Sequence, residues 1–279
     1  MPSFRSLALV ATACLGVAVP AHAQSDDQGK SRDGVTIGAG VATAPSYEGS
    51  DSSRILPMVQ ARATISGISI QTRGPRIYVD AIPDSDGPGI KLIAGPVIGV
   101  NLNRVSGIKD AQVEALGKKR VALELGGYAG VTKTGVITSD YDSLTASVTW
   151  MHDVTGIHDS YLVTPILTYG TPLSRKVYVG VSADATYAGG GYADSYFGVD
   201  AAGAAASGLP VYDPGKGWKN WSLTGLANVS LTGNLRHGLS LVGVVSYSQL
   251  LGDFADSPIV SVAGDRNQWF GGLGLAYTF

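Results

Sequence analysis

The sequence predicts an all-β protein, a transmembrane antiparallel β-barrel of twelve strands, or of ten if the two shortest do not form. Three observations carry this reading. Segments of about ten residues recur with apolar side chains at every second position, the period of a strand whose two faces meet different surroundings. Aromatic residues collect at the ends of these apolar series, as they do at the two interfaces of a bilayer. Charge is sparse, with Asp, Glu, Lys and Arg at 15% and 38 glycines in 279 residues, where soluble domains average about 25% charged.

The chain opens on an export signal. Arg5 and the amino terminus form a small basic region, Ser6 to Val19 is an uncharged apolar run, and Pro20-Ala21-His22-Ala23 ends it with a small-x-small pattern. That run is shorter than the roughly 20 residues of a permanent helical anchor. The expected organisation is a signal peptide over 1–23, a short flexible segment over 24–34 and a barrel over 35–279. Cys14 leaves with the leader; a lipid anchor on it would leave a very short apolar run before it. The mature 256 residues (279 − 23) then have no cysteine, which excludes disulfide and thiol chemistry. They carry 19 basic side chains (20 less Arg5) against 22 acidic ones, a balance that gives no reason to invoke nucleic acid. No later stretch approaches 18 consecutive apolar residues, so no membrane helix is expected.

Strands are expected near 35–42, 54–65, 67–73, 75–82, 90–102, 120–132, 142–152, 159–170, 176–187, 219–232, 238–251 and 268–279. The third and fourth are the shortest. The fifth reads Ile90, Leu92, Ala94, Pro96, Ile98, Val100, Leu102 on one face. In the sixth, Val121, Leu123, Leu125, Gly127, Ala129 and Val131 alternate with Arg120, Glu124, Tyr128 and Thr132 among others. The seventh sets Leu144, Ala146, Val148 and Trp150 against Ser143, Thr145, Ser147 and Thr149. The eighth carries Tyr161, Val163, Pro165, Leu167 and Tyr169, and the ninth Val177, Val179, Val181, Ala183, Ala185 and Tyr187. Trp221, Leu223, Ala227, Val229 and Leu231 mark the tenth; Leu239, Leu241, Val245 and Tyr247 the eleventh; Trp269, Leu273, Leu275, Tyr277 and Phe279 the last.

A soluble β-sandwich would alternate too. Its water-washed face would be rich in Lys and Glu, whereas here those positions are Ser, Thr, Gly, Asn and Tyr. Tyr161 and Tyr169 would stand roughly 20 Å apart in depth, close to the height of an apolar band. An even strand number puts both chain ends in the periplasm. The longest connections, Asn103–Lys119, Ala188–Trp218 and Gly252–Asn267, then fall outside the cell. The turns Ser66-Gly67, Pro83–Gly89, Thr171–Arg175 and Gly233–His237 fall in the periplasm.

Two loop motifs carry a family resemblance. Pro45-Ser46-Tyr47-Glu48-Gly49-Ser50-Asp51 follows the first strand, and Leu251-Gly252-Asp253-Phe254-Ala255-Asp256-Ser257-Pro258-Ile259-Val260 precedes the last, with Gly264 and the terminal Tyr277-Thr278-Phe279 beyond it. With these the chain resembles the MipA/OmpV family of outer-membrane proteins along essentially its whole mature length. The resemblance implies a Gram-negative outer-membrane barrel, recognised by the barrel-assembly machinery through its C-terminal Tyr277 and Phe279. It also implies a scaffold role. The founding member is described as joining a lytic transglycosylase to a bifunctional penicillin-binding protein, and other members are linked to adhesion and to antibiotic or osmotic response. The chain departs from the family mainly in its loops, where Ala188–Trp218, with Ala201-Ala202-Gly203-Ala204-Ala205-Ala206, reads as flexible.

Because first and last strands pair on closure, the two motifs should be neighbours at the outer rim. Tyr47, Asp51, Asp253, Asp256 and Pro258 suit loop packing, since short acidic side chains hold turns through backbone N–H groups. The alternative is a ligand or cation site made by Asp51, Asp253 and Asp256. Catalysis needs a His, an acid and a nucleophile or activated water within reach. The mature chain has three His. His152-Asp153 and His158-Asp159 flank one loop, with Ser160 adjacent, and read as solvated polar surface; a metal shared by the two His is the sharper alternative. His237 lies in a turn. No enzyme, metal site or cofactor is expected. The inward parity supplies lumen candidates: Arg54, Arg62, Arg73, Arg76, Lys91 and Arg120 against Asp80, Glu124 and Asp184. They either fill the barrel as ion pairs or line a narrow, anion-leaning pore. The expected function is a non-enzymatic scaffold or interaction barrel, with a narrow channel for small solutes as the alternative.

Overall fold

The computed structural model describes residues 33–83 and 89–279. The expected leader over 1–23, nearly all of the 24–34 segment and most of the Pro83–Gly89 turn lie outside the described residues. Twelve strands follow: β1 (Gly34–Pro45), β2 (Ser53–Ile65), β3 (Ile68–Arg73), β4 (Arg76–Asp80), β5 (Ile90–Asn101), β6 (Ala122–Thr134), β7 (Ser143–Asp153), β8 (Tyr161–Pro172), β9 (Val177–Ala188), β10 (Gly217–Ser230), β11 (Gly238–Leu250) and β12 (Asn267–Thr278). Each strand pairs antiparallel with its neighbours in the chain, and β1 pairs with β12 from Thr36↔Thr278 to Thr43↔Gly271, closing the barrel. Every expected strand is present, including the third and fourth, so the ten-strand alternative falls away.

The alternation resolves into two surfaces. Outside, Ile55, Ile90, Leu92, Leu167, Leu223, Val245 and Leu273 all lie about half or more exposed. A soluble monomer does not carry an apolar belt of this extent, and hydrocarbon is the solvent that suits it. The outer interface is marked by rings in contact across three strands: Trp221 meets Tyr247 at 5.4 Å and Tyr247 meets Trp269 at 5.0 Å. Inside, hydroxyls pair across strands, as Thr224 with Ser246 (2.8 Å), Thr168 with Ser182 (3.0 Å) and Thr132 with Thr145 (2.8 Å). Small side chains that satisfy one another make these stretches of the inner wall polar without adding charge.

The sheet is thinnest at its third and fourth strands. β2–β3, β3–β4 and β4–β5 pair over four, five and three residues, where the other neighbours pair over eight to twelve. At the foot of β4, the Asp80 carboxylate accepts the N–H groups of Ala94 and Ile82, both at 3.2 Å. A side chain thus stands where a ladder carbonyl would be.

Three outer loops carry helices: α1 (Ala111–Ala115), α2 (Gly190–Phe197), α3 (Ala201–Ser207), α4 (Gly252–Asp256) and α5 (Pro258–Ser261). The starts of α1, α3 and α5 are capped by Asp110 on Val113 N–H (2.9 Å), Asp200 on Gly203 N–H (2.6 Å) and Ser257 on Ile259 N–H (3.3 Å). The 188–218 connection therefore differs from its flexible-reading composition. Tyr192, Tyr196 and Phe197 on α2 are buried to 1% or less and pack into the outer lumen against Met151, Leu162, Ala188 and Leu250 of the wall. Three aromatics supply the burial that an alanine- and glycine-rich segment lacks.

Candidate functional site: the lumen and its outer cap

The two loop motifs meet over the closing seam. The Tyr47 hydroxyl donates to the carbonyl of Ala263, Gly49 N–H donates to Gln268 Oε1 (3.2 Å), and Asp265 N–H to the carbonyl of Gly49 (2.8 Å). Gly49 sits at φ +93°, and a Cβ on Gly264 would lie 1.9 Å from the Gly49 carbonyl oxygen, so both positions need glycine. Pro45 ends β1, Ser50 shares a hydroxyl cluster with Ser46 (2.8 Å), and Ser257 donates to the Phe197 carbonyl (2.6 Å). Gly252 and Pro258 start the short helices α4 and α5. The acidic residues do not converge. Asp51, Asp253 and Asp256 are exposed, Asp253 accepts Gly215 N–H (2.8 Å), and among the described residues no three His, Cys, Asp or Glu gather as a metal site would require. The cation-site alternative has no geometry behind it.

Beneath the motifs lies a cavity of about 510 Å³ bounded by Arg54, Arg62, Arg73, Arg76 and Lys91 with Asp80, Glu124 and Asp184. Arg120 does not join them. It stands two residues before β6 begins and is exposed; the inward parity does not hold beyond the end of the strand. Arg76 pairs with Glu124 at 3.1 Å, and Asn101 Nδ2 donates to the same carboxylate (3.2 Å). Arg73 lies 4.7 Å above the Tyr78 ring. The cavity extends inward to Thr134 and Ser143 at the periplasmic ends of β6 and β7.

Its outer end is held by a network around Glu48. Lys219 Nζ and the Tyr192 hydroxyl each donate to that carboxylate at 2.7 Å, and Asn103 Nδ2 at 3.4 Å. Lys219 also stands 5.0 Å from the centre of the Tyr192 ring. α2 is thereby tied both to the first motif and to the wall. Behind it, Arg104 is buried in the loop after β5, donating to the carbonyls of Tyr196 (3.4 Å) and Gly117 (3.2 Å). Burial without a carboxylate partner lowers its guanidinium to about 10.

The histidines part company. His152 stacks on Trp150, centroids 6.1 Å apart and planes within 4°, so it belongs to the outward face. His158 is not solvated surface. It is buried, edge-on to Tyr192 at 5.1 Å, with Nε2 3.4 Å from Glu124 Oε1. Asp153 accepts N–H groups of Thr155, Ile157 and His158 at 2.6 to 2.8 Å, which anchors the loop. His237 lies in its turn 6.0 Å from Tyr277. The residues that the sequence left without a role are Glu48, Asn101, Tyr192 and Lys219, and only Glu48 sat in a motif.

Among solved structures, the fold resembles an outer-membrane channel from Pseudomonas putida F1 at 12% identity, covering 92% of this chain and 100% of that one with a TM-score of 0.44. The toluene transporter TodX of Pseudomonas putida is similar at 9% identity, over 89% of each chain, with a TM-score of 0.33. At these scores the likeness is one of barrel architecture alone. No curated protein sequence matches the chain. Residues 37–279 match the family described as MltA-interacting protein MipA, which takes in the barrel, both motifs and the closing strand: the chain is an outer-membrane β-barrel and belongs to the MipA family.

Proposed function

We propose that the lumen binds and passes small solutes with a preference for anions, under an outer cap held by Glu48. The observation that carries this reading is the cavity wall, where six basic side chains face four acidic ones around about 510 Å³. Three of the acids are engaged, Glu124 by Arg76, Glu48 by Lys219 and Asp80 by backbone N–H groups. A narrow passage with low-dielectric walls turns such an imbalance into ion preference. Planar-bilayer recording of the purified barrel tests it. Small channels permeable to chloride over potassium are expected, with that preference reduced or reversed by Arg62→Glu or Lys91→Glu. Silence at high protein load would retire the reading.

A second reading, an interaction barrel for murein enzymes, is favoured by the family's description as an MltA-interacting protein. It requires the periplasmic turns to make the contact. Affinity capture from envelope extracts should then enrich a lytic transglycosylase and a penicillin-binding protein over an unrelated barrel. A foreign turn grafted at Thr171–Arg175 should reduce that recovery without loss of folded barrel.

A further inference from the structure

The wall is incomplete beside β2. Ser53–Thr64 pair with β1, from Gly34↔Thr64 to Pro45↔Ser53, but on the other edge only Arg62–Ile65 join the backbone ladder to β3. The β3–β4 hairpin turns back at Gly74–Pro75, and β4 reaches β5 only between Arg76↔Gly99 and Tyr78↔Val97. Continuing the β2–β3 register sets Arg73 opposite Gln60, level with the middle of β2. The gap therefore occupies the outer-leaflet half of the wall. At its base it is two missing strands wide, about 14 Å at the usual spacing. The loop after β5 reaches its top, where Lys109 Nζ donates to the Ser53 carbonyl (2.6 Å) and Arg54 to that of Ser106 (2.5 Å).

The edge of β2 faces this gap with bare peptide groups. Ala61 N–H points to the β3 side, onto Thr72 Oγ1 at 2.9 Å, and strand alternation turns Val59 and Ile55 the same way. Pro57 stands between them without an N–H, as suits an edge. Among the described residues nothing accepts from the N–H groups of Ile55 or Val59. Their side chains are 80% and 68% exposed on the lipid face. Unpaired peptide groups are not tolerated in hydrocarbon unless they border protein or water. The gap must therefore be wet or occupied, and it borders the lumen cavity, which Leu56, Pro75, Val100 and Leu102 help to line.

The geometry points to a lateral portal through which a single-chain amphiphile with an anionic head group moves between the outer leaflet and the lumen. This rests on the solute-binding reading above and gives it a substrate class and a route. The head group belongs at the upper rim, where Arg54 and Lys109 donate to carbonyl oxygens and, among the described residues, pair with no carboxylate. The chain belongs against Leu56 and the apolar flank of the gap.

The test uses the mature barrel in lipid nanodiscs, with dodecanoate as the probe and inorganic phosphate beside it. Dodecanoate should bind saturably, at least tenfold more tightly than phosphate, and Arg54→Glu with Lys109→Glu should weaken it tenfold or more. The amides of Ile55 and Val59 should exchange with deuterium at least a hundredfold faster than those of Ala39 and Val41 on the fully paired β1. Equal affinity for phosphate overturns the amphiphile while leaving an anion-selective lumen standing. Slow exchange at Ile55 and Val59 in monomeric particles overturns the portal. Protection that appears only on dimerisation assigns the edge to a strand of a second copy and overturns it as well.

Discussion

Glu48 and Lys219, 171 positions apart in the chain, meet at 2.7 Å on top of the lumen. Glu48 belongs to the loop that binds the closing seam, and the same carboxylate accepts the hydroxyl of Tyr192 from α2. One side chain thus couples closure of the barrel to seating of its plug. Lys219 is nearly buried there, where an unpaired charge is costly.

Glu48→Gln is expected to loosen the plug. Losing the charge-assisted bonds should cost the seated state about 1.5–3 kcal/mol, which raises the frequency of open events in bilayer recordings roughly tenfold or more. Lys219→Met should act in the same direction more weakly, because it removes the ammonium together with its partner bond. An open frequency unchanged in both would separate the Glu48 network from gating.

A pH effect is expected at the periplasmic turn between β6 and β7. Burial alone would raise the carboxyl of Asp142, but the N–H groups of Thr138, Val136 and Ile137 and the hydroxyl of Tyr169 hold it well below the usual carboxylate range. A group whose folded pKa is depressed adds stability above its unfolded value, near 4, and loses it as pH falls toward the folded one. Asp142→Asn should therefore melt several degrees below the parent at pH 7. That difference should shrink below pH 3. Parallel melting curves across this range would contradict the assignment.

Leu273 is 55% exposed, midway along β12. An Arg there meets the bilayer centre, at a cost of roughly 2–4 kcal/mol. Leu273→Arg should lower the yield of heat-modifiable, folded barrel, while Thr278→Ser, on the inward face, leaves it near the parent. Equal yields would mean that the face assignment fails.

Gly49→Ala addresses the seam. The new Cβ would lie 2.4 Å from Val260 Cγ2 at a φ of +93°, and strain of about 1–3 kcal/mol is expected. Gly34→Ala, with nothing within 4 Å of its Cβ, should stay within about 0.5 kcal/mol. Urea unfolding in lipid compares them. A Gly49→Ala variant as stable as Gly34→Ala would show that the junction relaxes freely.

The strands were legible because a wall between lipid and lumen imposes period two on every residue that crosses it; Trp269, Leu273 and Tyr277 declare their face without any neighbour. The junction of the motifs was legible from closure alone, since Thr43 opposite Gly271 brings the following and preceding loops together. Parity failed where a strand stopped, as at Arg120. The cap was not legible, because Glu48, Tyr192 and Lys219 come from three segments and no local pattern joins them. His158 read as surface for the same reason: what buries it is Tyr192, thirty-four positions later.

The outer loops share a single core. Tyr47, Ile108, Val113, Val199, Leu209, Ile259 and Ala263 form one cluster, drawn from four connections that a barrel could have left separate. Residues in such contact respond to substitution together, with couplings of about 0.5–3 kcal/mol. A change that suits one loop is thus judged by the other three. The four loops hold one shape between them, and grafting a single loop from a relative is expected to transfer its sequence without its shape.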